Sequence, residues 1–366
     1  MAAETKPHIL MLASSRSVHT ARWTNGLRQR GWHITLMTAD SDETHEYDDI
    51  SLVRLPEKGK NAFITSVPYV RSFAKENGIS FIHAFYATDY GLLATLSRCA
   101  PVLLSVMGTD VFSYPDKSWL HKWGTSRILK SAQAVAATSR VMAERVKELT
   151  AGKVNPALTP FGVNTSKFYP AENQFSEKGS DELRIISIRH LYQKYGLDVL
   201  VKAAHKLNTG HPEMKFRVDI YGDGPERQVL LDQIIRLGLD DVVKLHGKTS
   251  PESVPDLLRN ADLFVAPSRE ESFGVAVLEA SAIGLPVIGS RVGGLPEVIL
   301  ANKTGLLFEK ENAEELYRKI LILSKQETAR KLGRAGADFV KSNFSEKAVL
   351  GKMELVYKKM LTNISV

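Results

Sequence analysis

Residues 263–284 read LFVAPSREESFGVAVLEASAIG. An apolar run stops at Pro267-Ser268, a polar loop carries Glu271-Ser272-Phe273-Gly274, and a helix is expected from about Gly274 to a stop near Gly284. The loop therefore leaves the carboxyl end of a strand, where open α/β sheets bind ligands. Together with the first helical N–H groups it makes an anion site, and Gly274 lets the backbone come close. Glu271 and Glu279 do not belong beside a phosphate unless the ligand also offers hydroxyls. Glu279 would then accept from a ribose, and Glu271 would hold a hexose. The alternative is a solvated loop residue and a surface helix residue. Against it, Glu279 lies between Val277-Leu278 and Ala280-Ser281, where an unpaired carboxylate is costly.

Upstream, IISIRHLYQKYGLDVLVKAA (residues 185–204) repeats the strand, loop, helix order. Arg189 and Lys194 fall in its loop, placed to bracket a diphosphate leaving group, although two basic residues in a loop are more often merely solvated. YGDGP (221–225) reads as a tight strand-end turn whose Gly222 can also touch phosphate. RVGGLPEVI (291–299) reads as a glycine turn followed by a helix start at Pro296-Glu297, with no ligand required.

Strand-like runs at 183–190, 216–224, 242–247, 263–268, 286–290 and 304–309 form one β-α series, and the last sixty residues are mainly helical. An earlier series runs through HILMLAS (8–14), WHITLMT (32–38), ISLVRLP (50–56), SFIHAF (80–85), PVLLSVMG (101–108) and AVAAT (134–138), with helices between most of them. Both series argue for parallel sheets covered on both faces. The polar, aperiodic NQFSEKGSDE (173–182) places the boundary, giving domains 1–172 and 183–344, with the active site expected in a cleft between them.

At 366 residues the chain is long enough for two medium domains. Its 43% hydrophobic and 24% charged residues exclude disordered, collagenous and repeat-array classes. The longest apolar stretch, 272–290, carries Glu279 and a Gly-Leu-Pro break, so no membrane span is expected. One cysteine, Cys99, allows neither an internal disulfide nor a cysteine zinc site, and with no signal peptide legible it points to a reducing cytoplasm. The net charge of +7 is uneven: residues 1–170 hold 20 Lys and Arg against 14 Asp and Glu, the remainder 28 against 27. The first half therefore suits an anionic partner.

Arg189, Lys194, YGDGP, LHGKTSPESVPDLLRNADLFVAPS, the Glu271/Glu279 spacing, and GGLPEVI followed by TGLLF, in that order, resemble the carboxyl-terminal donor domain of the retaining nucleotide-sugar glycosyltransferases of family 4. The resemblance implies the GT-B fold, an α/β architecture of two Rossmann-like doubly wound domains facing across a cleft. It implies a UDP- or GDP-sugar held mainly by the second domain, an acceptor held mainly by the first, and no essential metal or other cofactor. In that picture Arg189 and Lys194 neutralise the diphosphate, while Glu271 and the amides of Phe273, Gly274 and Val275 hold the sugar. Glu279 takes the ribose, and the base lies near His246, Gly247, Lys248 and Val254. A last helix at about 345–366 is implied to cross back onto the first domain, and the pathway is implied to be capsule, lipopolysaccharide or other surface-glycan assembly.

The amino-terminal match is looser. Where many members carry a Gly-Gly loop, this chain has SSRSVHTARW (14–23), whose Ser15, Arg16, Ser17 and His19 are candidates for phosphate or acceptor contact. In VMGTDVF (106–112), Met107 replaces a common histidine, leaving Asp110 as the best polar candidate for catalysis or, equally, a capping residue. His83, at a strand end, either faces the cleft or is a satisfied core histidine. KSWLHKWGTSRILK (117–130) mixes Trp119 and Trp123 with four cations, which suits a peripheral site on the anionic inner leaflet and a lipid-linked acceptor. Rival readings are a nucleotide-sugar epimerase of the same layout and a non-catalytic nucleotide-sugar-binding partner. A nucleic-acid ligand is not expected, because no recognition module or aromatic platform appears.

Overall fold

The computed structural model describes residues 7–43, 45–56, 59, 61–172, 174 and 182–362. The chain divides into two compact units, Met1–Phe161 with Val349–Val366, and Gly162–Ala348.

The first unit holds strands β1 (His8–Leu12), β2 (His33–Thr38), β3 (Ser51–Arg54), β4 (Phe81–Phe85), β5 (Val102–Val106), β6 (Ala134–Ala137) and β7 (Ala157–Leu158). They pair in parallel in the order β3-β2-β1-β4-β5-β6-β7. Successive residues send side chains to opposite faces, so Leu10, Ile82, Leu104 and Val135 enter one core while Ile9, Phe81, Leu103 and Ala136 enter the other. Burial on both faces is why β1, β2, β4, β5 and β6 read as continuous apolar runs rather than alternating ones, while the edge strand β3 is exposed at Ser51 and Arg54. The short β7, with Leu158 exposed, offers no such run and was not expected.

The second unit holds β8 (Leu183–Ile188), β9 (Phe216–Tyr221), β10 (Val243–Gly247), β11 (Leu263–Ala266), β12 (Val287–Ser290) and β13 (Leu306–Phe308). Their order, β10-β9-β8-β11-β12-β13, is again all-parallel and doubly wound. The order reverses between β8 and β11, and between β1 and β4 in the first unit. At such points neighbouring crossovers leave on opposite faces and open a crevice at the carboxyl ends.

The division falls at residues 161–162, ahead of the polar stretch read as the boundary. That stretch lies mostly outside the described residues. Hydrogen bonding explains the difference: the Val163 amide donates to the Phe344 carbonyl at 2.8 Å, and the Glu346 amide donates to Val163 at 3.0 Å. Arg259 also donates to the Lys167 carbonyl at 2.8 Å and lies over the Tyr169 ring, so residues 162–169 are tied into the second unit.

The helix Glu346–Thr362 contributes Val349, Leu350, Met353, Tyr357 and Met360 to a core of the first unit. Glu354 accepts from Trp32 Nε1 at 2.9 Å and from Arg30 Nη1 at 2.6 Å. No helix among the described residues is long and apolar enough to cross a membrane.

Candidate active site

Arg189 follows β8, and Ser268 and Glu271 follow β11, so the switch point of the second sheet brings them together. Arg189 Nη1 donates to Ser268 Oγ at 3.0 Å and pairs with the Glu271 carboxylate. The Arg189 side chain is 5% exposed, and its Nε makes no hydrogen bond within the protein. A guanidinium this buried needs anionic compensation, and one of its donors still faces no protein acceptor.

Lys194 lies on the exposed turn Gln193–Tyr195. Its Nζ and the Arg189 guanidinium each sit 5.2 Å from the centroid of the Tyr195 ring, so one aromatic ring neighbours both cations. The Lys194 carbonyl accepts from the amides of Arg269 at 2.7 Å and Glu270 at 3.1 Å, joining its turn to the Glu271 loop.

Phe273 is buried, and Gly274, at φ +106, caps the helix Val275–Ala282. The three amides of Phe273, Gly274 and Val275 thus stand at a helix N-terminus next to Glu271. Glu279 is half-buried one turn further on.

Two glycines read as simple turns turn out to set this geometry. A Cβ on Gly293, at φ +49, would overlap the Glu271 carbonyl oxygen, and the Gly294 amide donates to that same oxygen at 2.9 Å. A Cβ on Gly222, at φ +141, would overlap the Arg189 carbonyl oxygen, while the Gly222 amide donates to Gly247 at 2.7 Å. The carboxyl ends of β8, β9 and β10 are therefore packed backbone to backbone. His246, at the end of β10, donates from Nε2 to Asp219 Oδ1 at 2.6 Å and stacks on Tyr221 with centroids 4.5 Å apart. Lys248 is exposed beyond it, and half-buried Val254 opens the helix Val254–Arg259.

In the first unit the structure bears on two readings left open by the sequence. Asp110 is buried and its carboxylate is fully occupied: Oδ2 accepts from the Ala87 amide at 2.7 Å, and Oδ1 from the Met107 and Gly108 amides at 3.0 and 2.8 Å. It braces the loops after β4 and β5, which is the capping reading. Burial pushes its carboxyl up, against those three amide bonds. His83 is a core histidine, with Nδ1 2.7 Å from the Tyr357 hydroxyl and Nε2 2.8 Å from Ser105 Oγ. Both ring nitrogens are used within the core, so it does not face a ligand.

The loop after β1 is also internally braced. Ser15 is buried and donates to the Asp42 carbonyl at 3.0 Å, Arg16 pairs with Asp42, and Ser17 caps the helix Val18–Gln29. His19 stacks on Phe161 with centroids 3.8 Å apart. Burial and the nearby Arg22 lower its pKa to about 4, so it is neutral at pH 7. Tyr86, directly after β4, adopts φ +70, a strained conformation at the first sheet's switch point. Among the described residues no group of three or more His, Cys, Asp or Glu side chains could hold a metal ion.

Sequence reasoning missed Tyr195, Ser268 and Arg269. Tyr195 adjoins Lys194, but nothing local shows that its ring reaches Arg189, and Ser268 meets Arg189 only across 79 positions.

Two family descriptions match the chain: glycosyl transferases group 1 over residues 169–339, and glycosyl transferase 4-like over residues 8–139. An uncharacterized glycosyltransferase of Methanocaldococcus jannaschii is 27% identical over 94% of each chain. Among solved structures, sucrose-phosphate synthase from Thermosynechococcus elongatus superposes with a TM-score of 0.85 at 21% identity, covering 98% of this chain and 100% of that one. Anabaena HepE, in complex with UDP and glucose, superposes at 0.80 and 17% identity, covering 96% and 100%. These two share the fold, two parallel doubly wound sheets of the GT-B type. With a 4-like half ahead of a group 1 half in which Arg189, Lys194 and Glu271 converge, the chain belongs to the glycosyltransferases.

Proposed function

We propose that this glycosyltransferase moves a sugar from a UDP- or GDP-sugar to an acceptor hydroxyl with retention at the anomeric carbon and without an essential metal. The observation that carries the reading is the buried Arg189 with its unused Nε, beside Lys194 and the helix N-terminus at Val275. Positive charge and aimed amides at one strand end suit a departing diphosphate. Their stabilisation of the charge that develops there is the main source of rate acceleration.

In this reaction the bond from the anomeric carbon to the diphosphate breaks, the acceptor oxygen bonds to that carbon from the same face, and the hydroxyl proton passes to a phosphate oxygen. This route needs no enzymic nucleophile. The engagement of both Asp110 oxygens by backbone amides agrees with that. Glu271, held by Arg189, is placed to accept from sugar hydroxyls and Glu279 from the ribose.

The acceptor is a lipid-linked or surface-glycan precursor met at an anionic membrane. The helix Trp119–Ser131 exposes Trp119 (74%), Leu120 (56%) and Trp123 (60%) together with Lys122, Arg127 and Lys130, and contains no acidic residue. The nearby Asp116 is paired with Arg145 at 2.5 Å. Indole rings and cations on one solvated face fit the headgroup region of an anionic leaflet.

The test is transfer and donor hydrolysis across a panel of UDP- and GDP-sugars, with Lys194→Ala and Glu271→Ala as variants. Each variant is expected to lose about two or more orders of magnitude while remaining folded. Near-normal rates in both would remove the site. Consumption of donor without any acceptor, giving an isomeric nucleotide sugar, would favour the epimerase instead.

A further inference from the structure

Arg269 was not singled out in the sequence, yet all five of its guanidinium hydrogens meet acceptors. Nη1 donates to Asp198 Oδ1 at 2.8 Å and to the Gln193 carbonyl at 2.7 Å. Nη2 donates to Asp198 Oδ2 at 2.9 Å and to Glu311 Oε2 at 3.0 Å, and Nε donates to the same Glu311 carboxylate. The fork thus joins the segments that follow β8, β11 and β13. Glu311 presents its carboxylate from φ +67, a conformation that residues other than glycine seldom adopt unless their surroundings enforce it. At the backbone level the Arg269 amide donates to the Lys194 carbonyl at 2.7 Å.

The turn Gln193–Tyr195 is only three residues long, and Lys194 is exposed upon it. Arg269 grips it on both sides, at the Gln193 and Lys194 carbonyls. Asp198, four positions after Lys194, and Glu311 both carry negative charge beside this turn. The hydrogen bonds Arg269 makes to the two carboxylates raise its own pKa, so it stays charged throughout the working range. Burial pushes the Asp198 carboxyl up, but its bonds from Arg269 and Lys202 outweigh this and hold it below the usual range. Only arginine offers five donors in one rigid plane, so lysine is not an equivalent.

We propose that Arg269 is a positioning residue for donor binding: it holds the Lys194 turn where the ammonium meets the diphosphate, and it neutralises Asp198 and Glu311 so that neither carboxylate competes for that ammonium. The inference rests on the donor reading above and adds a residue that touches no substrate.

The test is binding of UDP and of GDP to the full chain by calorimetry, for wild type, Arg269→Ala, Lys194→Ala and the double variant, with melting temperatures recorded. Arg269→Ala is expected to weaken binding of whichever nucleotide the wild type prefers by about tenfold or more, but by less than about twofold when Lys194 is already alanine. Glu311→Gln, a milder change that keeps the Asp198 arm, is expected to show the same non-additivity at smaller size, and it carries the test if Arg269→Ala does not fold. An equal weakening in both backgrounds, or a lowered melting temperature with unchanged binding, would mean a purely structural role and overturn the proposal. Wild type that binds neither nucleotide, or Lys194→Ala that binds as wild type, would overturn the donor reading itself.

Discussion

His83 Nδ1 and the Tyr357 hydroxyl lie 2.7 Å apart across 274 positions of sequence, joining the centre of the first sheet to the last helix. The imidazole is fully buried, and burial lowers its pKa from 6.5 to about 3. It is therefore neutral in the folded chain at pH values where the unfolded chain would protonate it. Its contribution to stability is complete above pH 6.5 and is lost as pH falls toward 3. His19, lowered to about 4, acts with the same sign.

Urea unfolding at pH 7.5 and pH 5 should accordingly show lower stability at pH 5, with a slope of up to ~1.4 kcal/mol per pH unit for each proton taken up. His83→Gln, which keeps an amide for Tyr357 and Ser105 but cannot titrate, should flatten part of that slope. An unfolding free energy for the variant with the wild-type pH dependence would contradict this account of His83.

Glu271 and Arg189 predict a split between binding and turnover. Glu271→Gln removes a negative charge beside the proposed diphosphate site, so UDP or GDP without a sugar should bind more tightly, by about tenfold, while transfer falls. Calorimetry with the nucleotide alone checks the first half and a transfer assay the second. Weaker nucleotide binding in the variant would place the phosphates elsewhere.

Asp110 should behave as a structural brace. Asp110→Ala leaves two buried amides and the half-buried Met107 amide without their acceptor and is expected to cost ~3 kcal/mol in urea unfolding. Asp110→Asn retains one acceptor oxygen, and it should cost less and keep most transfer activity per folded molecule. Abolished transfer in a stable Asn variant would restore the catalytic assignment.

Gly293→Ala should force the Glu271 loop away from its position, because the new Cβ overlaps the Glu271 carbonyl oxygen. Transfer should fall by about tenfold or more with donor KM raised, as expected when a loop that holds substrate is displaced. Gly351, in the helix Glu346–Thr362, has nothing within 4 Å of such a Cβ, so Gly351→Ala should stabilise the chain by ~0.5–1 kcal/mol without touching kinetics. Equal kinetic effects from both substitutions would argue against a specific role for Gly293.

The exposed face of Trp119–Ser131 predicts salt-sensitive flotation with vesicles containing anionic lipid and none with neutral vesicles. Trp119→Ser with Trp123→Ser should abolish it while leaving transfer to a soluble acceptor intact. Failure of the wild type to float at low salt would remove the membrane partner.

Among the described residues the central strands were legible as apolar runs because they are buried on both faces, as in β4, β5 and β11, whereas the two-residue β7 was not, since it carries no periodicity. Arg189, Lys194, Glu271 and the helix at Val275 were legible because strand-end loops place chemistry beside a helix start. The division at residues 161–162 escaped, because polar composition marks a loop but not which unit its flanks bond to.

What the sequence by itself determined was the order of strands and helices and the residue types at the strand ends, since periodicity and turn chemistry are local properties of the chain. Only the tertiary structure decided which of those residues meet. The pairing of Arg189 with Glu271, the five acceptors around Arg269 and the retirement of Asp110 and His83 into internal hydrogen bonds all join segments far apart in sequence. A hydrogen bond depends on positions in space to within a few tenths of an ångström, and no spacing along the chain specifies those before the sheets have formed.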